Sequence, residues 1–353
     1  MSPTRATKAQ MAIDPLPERD RKSEHIELAL DERMQLACYH FDSFRFEHEA
    51  CPEMDFDEID SSAVFLGKRL QAPLLISCMT GGTEEATKIN RNLARAAEKS
   101  GVAVGIGSQR RAIEDASTAD TYRIRPFAPS VPILANLGAV QLNYGFGLDE
   151  CLRAVEMIDA DALVFHLNPL QEAIQPEGQR NFAGLIEKMG RIARDLPVPV
   201  IVKEVGCGIS ARLARALARH GLRIIDSSGQ GGTSWARIES ARCEDPGIGE
   251  LFADWGIPTP LAIRNLRKVP GLTVIGSGGI RHGVDVAKAI ALGADLAGLA
   301  YPFLRAATIS AEAVEEKIRR TLRELEICMF CAGAHTISDL QAVRLIREAE
   351  VAA

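Results

Sequence analysis

From residue 73 onward the chain repeats one order: a short apolar run, a Gly-rich or polar exit, then a stretch with apolar residues at helical spacing. The apolar runs are PLLISCM (73–79), VAVGIG (102–107), PILANL (132–137), ALVFHL (162–167), PVIVKEV (199–205), LRIIDSS (222–228), LTVIGSG (272–278) and DLAGLAY (295–301). Between them, EEATKINRNLARAAEKS, SARLARALARH and GVDVAKAIALG carry apolar residues three and four apart and run up to a Gly, a common way for helices to stop. Eight such units predict an α/β fold, a (β/α)8 TIM barrel. A doubly wound sheet would place GxGxxG in its first β–α turn, with an acidic residue ~20 positions later, and that turn here lacks it. The barrel is expected over 73–345, preceded by an N-terminal extension (21–72) that contributes to the active site. Poorly ordered tails are expected at 1–20 and 346–353, and a long loop at 229–256 after the sixth strand.

Composition narrows the class. With 46% hydrophobic and 25% charged residues the chain resembles an ordinary soluble globular protein. Its longest apolar runs are strand-sized, so no membrane span is expected. The N-terminus has no basic start followed by an apolar core, hence no secretory signal, and a cytoplasmic location is expected. Eight scattered cysteines suit reduced thiols better than a disulfide framework. Cys328 and Cys331 form a lone CxxC, read as two core-facing thiols on a helix. A net charge of −6 argues against nucleic acid as partner, while leaving room for a local basic cluster that binds a small anion.

In such a barrel the chemistry gathers at the C-terminal ends of the strands. The exits here are MTGGT (79–83), GSQR (107–110), NLGA (136–139), HLNPLQE (166–172), KEVGCG (203–208), SSGQGGTSW (227–235), GSGGIRHG (276–283) and AYPF (300–303). GSGGIRHG leads into a helix near Val284, where glycine backbone and a helix N-terminus can hold a phosphate. A tight turn needing positive φ explains it equally well. Lys203 should point into the mouth, where burial demands an anionic partner. A surface pair with Glu204 fails, because adjacent strand residues face opposite sides. Gln171 and Glu172 could hold Mg²⁺, which takes few carboxylates alongside substrate phosphates. His166 alone reads more readily as a core or turn histidine. These residues point to a phosphorylated ligand and a cofactor without naming a reaction.

Taken together, the motifs resemble the type 2 isopentenyl diphosphate isomerases, FMN-dependent (β/α)8 barrels. The resemblance runs from RKSEHI (21–26) to CAGAHTISDL (331–340), and HLNPLQE with RKxxH upstream is its discriminating pair. It implies interconversion of isopentenyl and dimethylallyl diphosphate by proton transfer, in isoprenoid biosynthesis. It also implies reduced FMN, Mg²⁺ on the diphosphate, and NADPH or another reductant for the flavin. By the same resemblance Gln171, Glu239 and Trp235 are catalytic and Glu172 binds the metal. Cys78, Met79, Thr80, Ser108, Asn136, Lys203, Ser228 and Thr233 would contact FMN, with its phosphate on Gly278, Gly279, Arg281, Ala300 and Tyr301. Arg21, Lys22, Gln109 and Arg110 would bind the diphosphate, with His25, Ser108, His166, Asn168 and Gln171 in the substrate pocket. A Trp face can stabilise developing positive charge, although Trp235 and Glu239 also suit a plain amphipathic turn.

Arg21 and Lys22 lie far ahead of the barrel and must fold back over a mouth, which in this family can belong to a neighbouring subunit. A homo-oligomer, tetramer or octamer, is expected for that reason. The bland alternative is a solvated pair before a helix capped by Ser23. Rival functions are an FMN-dependent 2-hydroxy-acid oxidase or dehydrogenase, an IMP-dehydrogenase-like enzyme, and a non-catalytic flavin- or phosphate-binding barrel. The first needs a His base near a substrate-binding Arg; Arg281 and His282 are present, yet SSGQGGTSW has no His. The second needs a nucleophilic Cys after the sixth strand, where Cys243 comes only past the glycines. The third has no use for Gln171, Glu172, Trp235 and Glu239 together.

Overall fold

The computed structural model describes residues 21–36, 39–243 and 245–347. The expected tail at 1–20, and all but residues 346 and 347 of the tail at 346–353, lie outside them. The eight apolar runs become eight parallel strands: β1 (Leu74–Ile76), β2 (Ala103–Gly105), β3 (Ile133–Gly138), β4 (Ala162–Leu167), β5 (Val200–Glu204), β6 (Ile224–Asp226), β7 (Thr273–Ser277) and β8 (Leu296–Leu299). They pair in sequence order and β8 closes onto β1, giving the predicted barrel.

Strand side chains alternate between faces, and here the alternation sorts the barrel into layers. Leu75, Ala103, Leu134, Val164, Ile201, Ile275 and Leu296 face inward and form an apolar plug. Phe65 and Leu70, from the hairpin Ala63–Phe65/Lys68–Leu70, join that plug. Lys68 of the hairpin pairs with Asp161, just before β4, at 2.6 Å, so the hairpin closes the N-terminal end. The outward row, including Ile76, Val104, Leu163, Phe165, Val202 and Val274, packs under the helices. Two positions beyond the plug, the inward row turns polar: Ser77, Asn136, His166, Lys203, Asp226 and Ser277. That layer is the floor of the mouth.

Helix limits follow local chemistry. In Glu84–Ser100, Thr83 accepts from the Ala86 amide at 3.1 Å and Gly101 ends the helix at φ 63°. HLNPLQE differs from a simple turn, because Pro169 occupies the first position of a helix, Pro169–Ile174. Proline's missing N–H costs nothing there. The segment after β6 holds the helices Trp235–Ser240 and Gly247–Leu251. Ser23 lies inside the helix Arg21–Leu30 and does not cap it. Leu345–Arg347 pairs antiparallel with Phe44–Phe46, tying the C-terminal end to the N-terminal extension. Of the CxxC pair, Cys328 alone packs against the core. No helix among the described residues is long and apolar enough to cross a membrane.

Phe165 is fully buried between barrel and helices. Phe165→Ala should cost about 3–5 kcal/mol, read as a lower urea midpoint in chemical denaturation.

Candidate active site

The strand exits surround one cavity of ≈ 390 Å³, within the size range of small-molecule sites. Of the residues the family resemblance assigned to the site, all but Gln109 and Glu239 border it. Gln109 is fully buried and turned away. Its Nε2 donates to the Ala154 carbonyl at 2.8 Å and its Oε1 accepts from the Asn136 amide at 3.0 Å. Both ends of its amide are thus occupied by backbone, and the side chain expected to contact a diphosphate does not border the cavity.

The floor is a charged layer. His166, Lys203 and Asp226 are register partners on β4, β5 and β6. The Lys203 Nζ donates to the Glu204 carbonyl at 2.6 Å, and Asp226 Oδ1 accepts from Ser277 Oγ at 2.5 Å and the Ser228 amide at 3.1 Å. Burial pushes the Asp226 carboxyl upward, opposed by Lys203 and by these two bonds. The Glu204 carboxylate faces the other way, accepting the amides of Val205, Gly206, Cys207 and Gly208. Burial outweighs those amides and pushes it up to about 7. Lys203 and Glu204 therefore do not form a side-chain pair. Cys78 is pushed up to about 11 by burial, against the pull of Lys203, so it is a neutral thiol on the wall. His166 is pushed down to about 3 by burial and by the Lys203 and Lys22 cations. Its Nδ1 lies 2.8 Å from Asn136 Oδ1, which fixes a neutral imidazole with Nδ1 as donor.

On one side wall, HLNPLQE is held by its own amides. Asn168 Nδ2 donates to Gln171 Oε1 at 3.1 Å and Glu172 Oε1 at 2.9 Å, and the Gln179 amide donates to Glu172 Oε2 at 2.6 Å. Gln171 Nε2 donates to Glu239 Oε1 at 2.6 Å. Glu239 is fully buried behind Gln171. Burial pushes its carboxyl up, but His25, Gln171 and Arg242 outweigh it and hold it below the usual range. Trp235 stands edge-on to His25, with ring centres 5.2 Å apart.

The helix Arg21–Leu30 covers the mouth of its own barrel. Lys22 Nζ donates to the Ser108 carbonyl at 2.9 Å and Tyr122 Oη at 2.6 Å. Arg21 lies 3.5 Å from Glu177, and Glu24 bonds Arg242 at 3.0 Å. Further along, Gln35 accepts from Thr233 Oγ1 at 2.9 Å, and the Leu36 amide donates to the Gly232 carbonyl. The reach that suggested a neighbouring subunit is met within one chain.

At the opposite side, Gly278 (φ 106°) and Gly279 (φ 68°) pack against the glycines after β6. A Cβ on Gly278 would come within 2.0 Å of the Gly229 carbonyl oxygen, so the fold itself demands these glycines. Arg281 is paired with Asp285 at 2.7 Å and Asp42 at 2.5 Å, under the Tyr39 ring. Arg281 borders the cavity with its charge already paired, and beside it the backbone of this loop and the helix start at Tyr301 could hold an anion.

Among the described residues, four buried side-chain polar atoms have no hydrogen-bond partner: Ser77 Oγ, Asn168 Oδ1, Tyr301 Oη and His25 Nε2. The last lies 3.0 Å from Glu239 Oε1 without hydrogen-bond alignment. All four residues border the cavity, which suits a polar ligand large enough to reach every side. For a metal, Glu172 offers one buried carboxylate, and no group of three His, Cys, Asp or Glu side chains assembles among the described residues. Mg²⁺ held by one carboxylate and substrate phosphates fits that set; an all-protein metal cage does not.

The model of the FMN-dependent dehydrogenase family matches residues 170–347. The chain is 50% identical to an isopentenyl-diphosphate delta-isomerase of Nostoc sp., over 92% of this chain and 94% of that one. It is 52% identical to the Paracoccus zeaxanthinifaciens protein of that name (85% and 88% covered) and 48% to that of Stutzerimonas stutzeri (93% and 96%). The chain belongs to the isopentenyl-diphosphate delta-isomerases. Among solved structures, a flavocytochrome b2 variant with pyruvate bound superposes with a TM-score of 0.69 at 16% identity, covering 93% of this chain and 83% of that one. A lactate oxidase of Pediococcus acidilactici gives 0.64 at 20% identity, with 92% and 86% covered. At such identities the likeness is one of fold.

The family's sequence motifs did not single out Asp226, Ser77 or Ser277. Their signal was present: each stands two positions after an inward apolar residue, at Ile224, Leu75 and Ile275.

His166 carries a stability consequence. Between its ordinary pKa of 6.5 and its folded value of about 3, the unfolded chain binds a proton that the folded chain does not, so this contribution falls as pH falls. The melting-temperature margin of the unmodified protein over His166→Gln should shrink from neutral pH to about pH 4. A margin constant across that range would contradict the assignment.

Proposed function

We infer that this chain interconverts isopentenyl and dimethylallyl diphosphate by proton transfer, using reduced FMN and Mg²⁺, with NADPH or another reductant for the flavin. The observation that carries the reading is identity near one half to isomerases along nine-tenths of the chain. When bound, reduced FMN supplies a proton carrier beside the alkene, and Mg²⁺ neutralises diphosphate charge.

The chain's own residues do the rest. Arg21, Lys22 and Arg110 bring cations to one rim of the cavity, where a diphosphate would be held. His166, kept neutral, adds a hydrogen-bonding group there without a charge that varies with pH. Glu172 would hold the metal against the same diphosphate. Gln171 would sit beside the reacting carbons, oriented by Glu239, and the Trp235 ring would face developing positive charge. Thr80, Ser108, Asn136, Lys203 and Ser228 would hold the flavin ring, and the loop at Gly278–Gly279 with the helix start at Tyr301 its phosphate. The helix Arg21–Leu30 keeps water from the reacting carbons.

The oxidase reading loses its base. His282 caps the helix Gly283–Ala291 towards Asp285 and does not border the cavity. Cys243 bonds the Glu239 carbonyl, also off the wall, so a covalent thiol mechanism has no nucleophile there. A cytoplasmic location is part of the proposal, supported by the described cysteines, none of them disulfide-bonded. So is a homo-oligomer, tetramer or octamer, supported by exposed Ile248, Leu251 and Trp255. Sedimentation of the purified protein as a monomer would remove that part.

With FMN, a reductant and Mg²⁺ under anaerobic conditions, the purified protein should convert isopentenyl diphosphate to its isomer. A yellow protein that oxidises lactate and leaves the diphosphate untouched would overturn the reading; a colourless one would favour a scaffold. Glu172→Ala should lose Mg²⁺-dependent turnover and keep bound FMN. Loss of flavin in that variant would show that Glu172 serves the cofactor.

A further inference from the structure

Arg242 follows the helix Trp235–Ser240 and does not touch the cavity. Its three guanidinium nitrogens go to three different segments. Nη1 donates to Glu239 Oε2 at 2.7 Å, Nε to Glu24 Oε2 on the N-terminal helix at 3.0 Å, and Nη2 to Glu177 Oε1 at 3.1 Å, beyond the helix that carries Gln171. Its side chain is 14% exposed, so the bonds to Glu239 and Glu24 are largely shielded from water and salt, while the one to Glu177 lies at the surface.

Glu239 in turn meets three nitrogens. Gln171 and Arg242 donate to its two oxygens, and His25 Nε2 stands 3.0 Å from Oε1. An ionised carboxylate only accepts, so this arrangement calls for the ionised form. A proton on Oε1 would oppose Gln171 Nε2 and force the amide to turn over, taking Oε1 of Gln171 away from Asn168. We propose that Arg242 is a positioning residue for the isomerisation: anchored by Glu24 and Glu177, it keeps Glu239 ionised and thereby fixes which end of the Gln171 amide faces the cavity. The same guanidinium links the helix over the mouth to Glu239, so the cover and the orientation of Gln171 share one anchor. The inference rests on the reading that Gln171 works beside the reacting carbons.

The groups that bear on Glu239 are few. His25 faces it from the N-terminal helix and Gln171 from the helix Pro169–Ile174. Arg242 faces it from its own segment, with Glu24, Glu177 and Arg21 behind it, and the Cys243 thiol lies on its carbonyl.

The test is a double-mutant cycle on the FMN-loaded protein with Mg²⁺, measuring kcat, KM and flavin content across pH. Arg242→Gln should lower kcat roughly 10- to 100-fold with flavin retained. Its acid limb should move upward, because losing a neighbouring cation disfavours the carboxylate. Arg242→Lys, which keeps the charge, should restore most of kcat. In a Glu239→Gln background the Arg242→Gln change should have no further effect on kcat or on the limb. An additive loss in that background, or an effect confined to KM, would overturn the inference. If Arg242→Gln does not fold with an unpaired Glu239, Glu24→Gln, which removes one anchor of Arg242, carries the same cycle: it should lower kcat with flavin retained and have no further effect in the Glu239→Gln background. Full turnover in Gln171→Ala and Glu239→Gln would overturn the reading of the site itself. Loss in those two, with kcat and limb intact in Arg242→Gln, would overturn the role of Arg242 alone.

Discussion

The Lys203 ammonium follows three apolar residues on its strand, one position before the last residue Glu204, and it is almost fully enclosed. Such a charge needs compensation at close range. β6 meets this demand with Asp226 in register beside it, and β5 with the Glu204 carbonyl. Much of the mouth is arranged around this cation. Asp226 is held in turn by Ser277 of β7 and the Ser228 amide. His166 across on β4 stays neutral partly because Lys203 is near. The wall thiol Cys78 feels the same field, yet burial keeps it protonated. A floor of this kind presents fixed positive charge to a ligand without reorganising when it arrives, which is the condition under which electrostatic stabilisation is most effective.

The second constraint is closure. A barrel mouth opens to water, and the segment before β1 supplies its cover. The contacts are spread along the strap: Lys22 on the β2 exit, Glu24 and His25 on the post-β6 helix, Gln35 and Leu36 on the glycines, Phe41 on Lys288. Most reach the exits of strands 2, 6 and 7, so the cover is tied to the walls it closes. Asp42 extends the strap to Arg281, whose other partner is Asp285. The Gly278–Arg281 end of the cavity and the N-terminal extension are therefore tied together through Arg281.

Period-two and helical spacing made the barrel legible, because each is a property of a segment read alone. The strand exits were legible for the same reason, and so was the opposed orientation of Lys203 and Glu204. What failed to show was which side chains meet across elements. Gln109 sits in a polar exit motif, yet it faces the β3 amide of Asn136 and the Ala154 carbonyl. Trp235 and Glu239 share a helix, yet Trp235 borders the cavity while Glu239 lies behind Gln171. Arg281 reads as a free cation until Asp42, more than two hundred residues earlier, is brought beside it. The glycines of GSGGIRHG admitted two explanations, and backbone contact with Gly229 and Gly231 supplies the structural one whatever the ligand.

The barrel is shared with hydroxy-acid oxidases at 16–20% identity, so the architecture does not choose between hydride removal and proton transfer. The choice falls to a few positions on the rim. An oxidase needs a base that can hold a proton near neutral pH; His282 is off the wall, and His166 is too easily deprotonated to serve. What lines the wall instead is an amide, Gln171, whose orientation is set by an ionised carboxylate behind it. An amide is a weak acid and a weak base, so it suits a site where a carrier elsewhere supplies the proton and the protein's task is to orient groups and exclude water. The carboxyls of Glu239 and Asp226 are buried and do not border the cavity, standing just behind the surface that a substrate would touch.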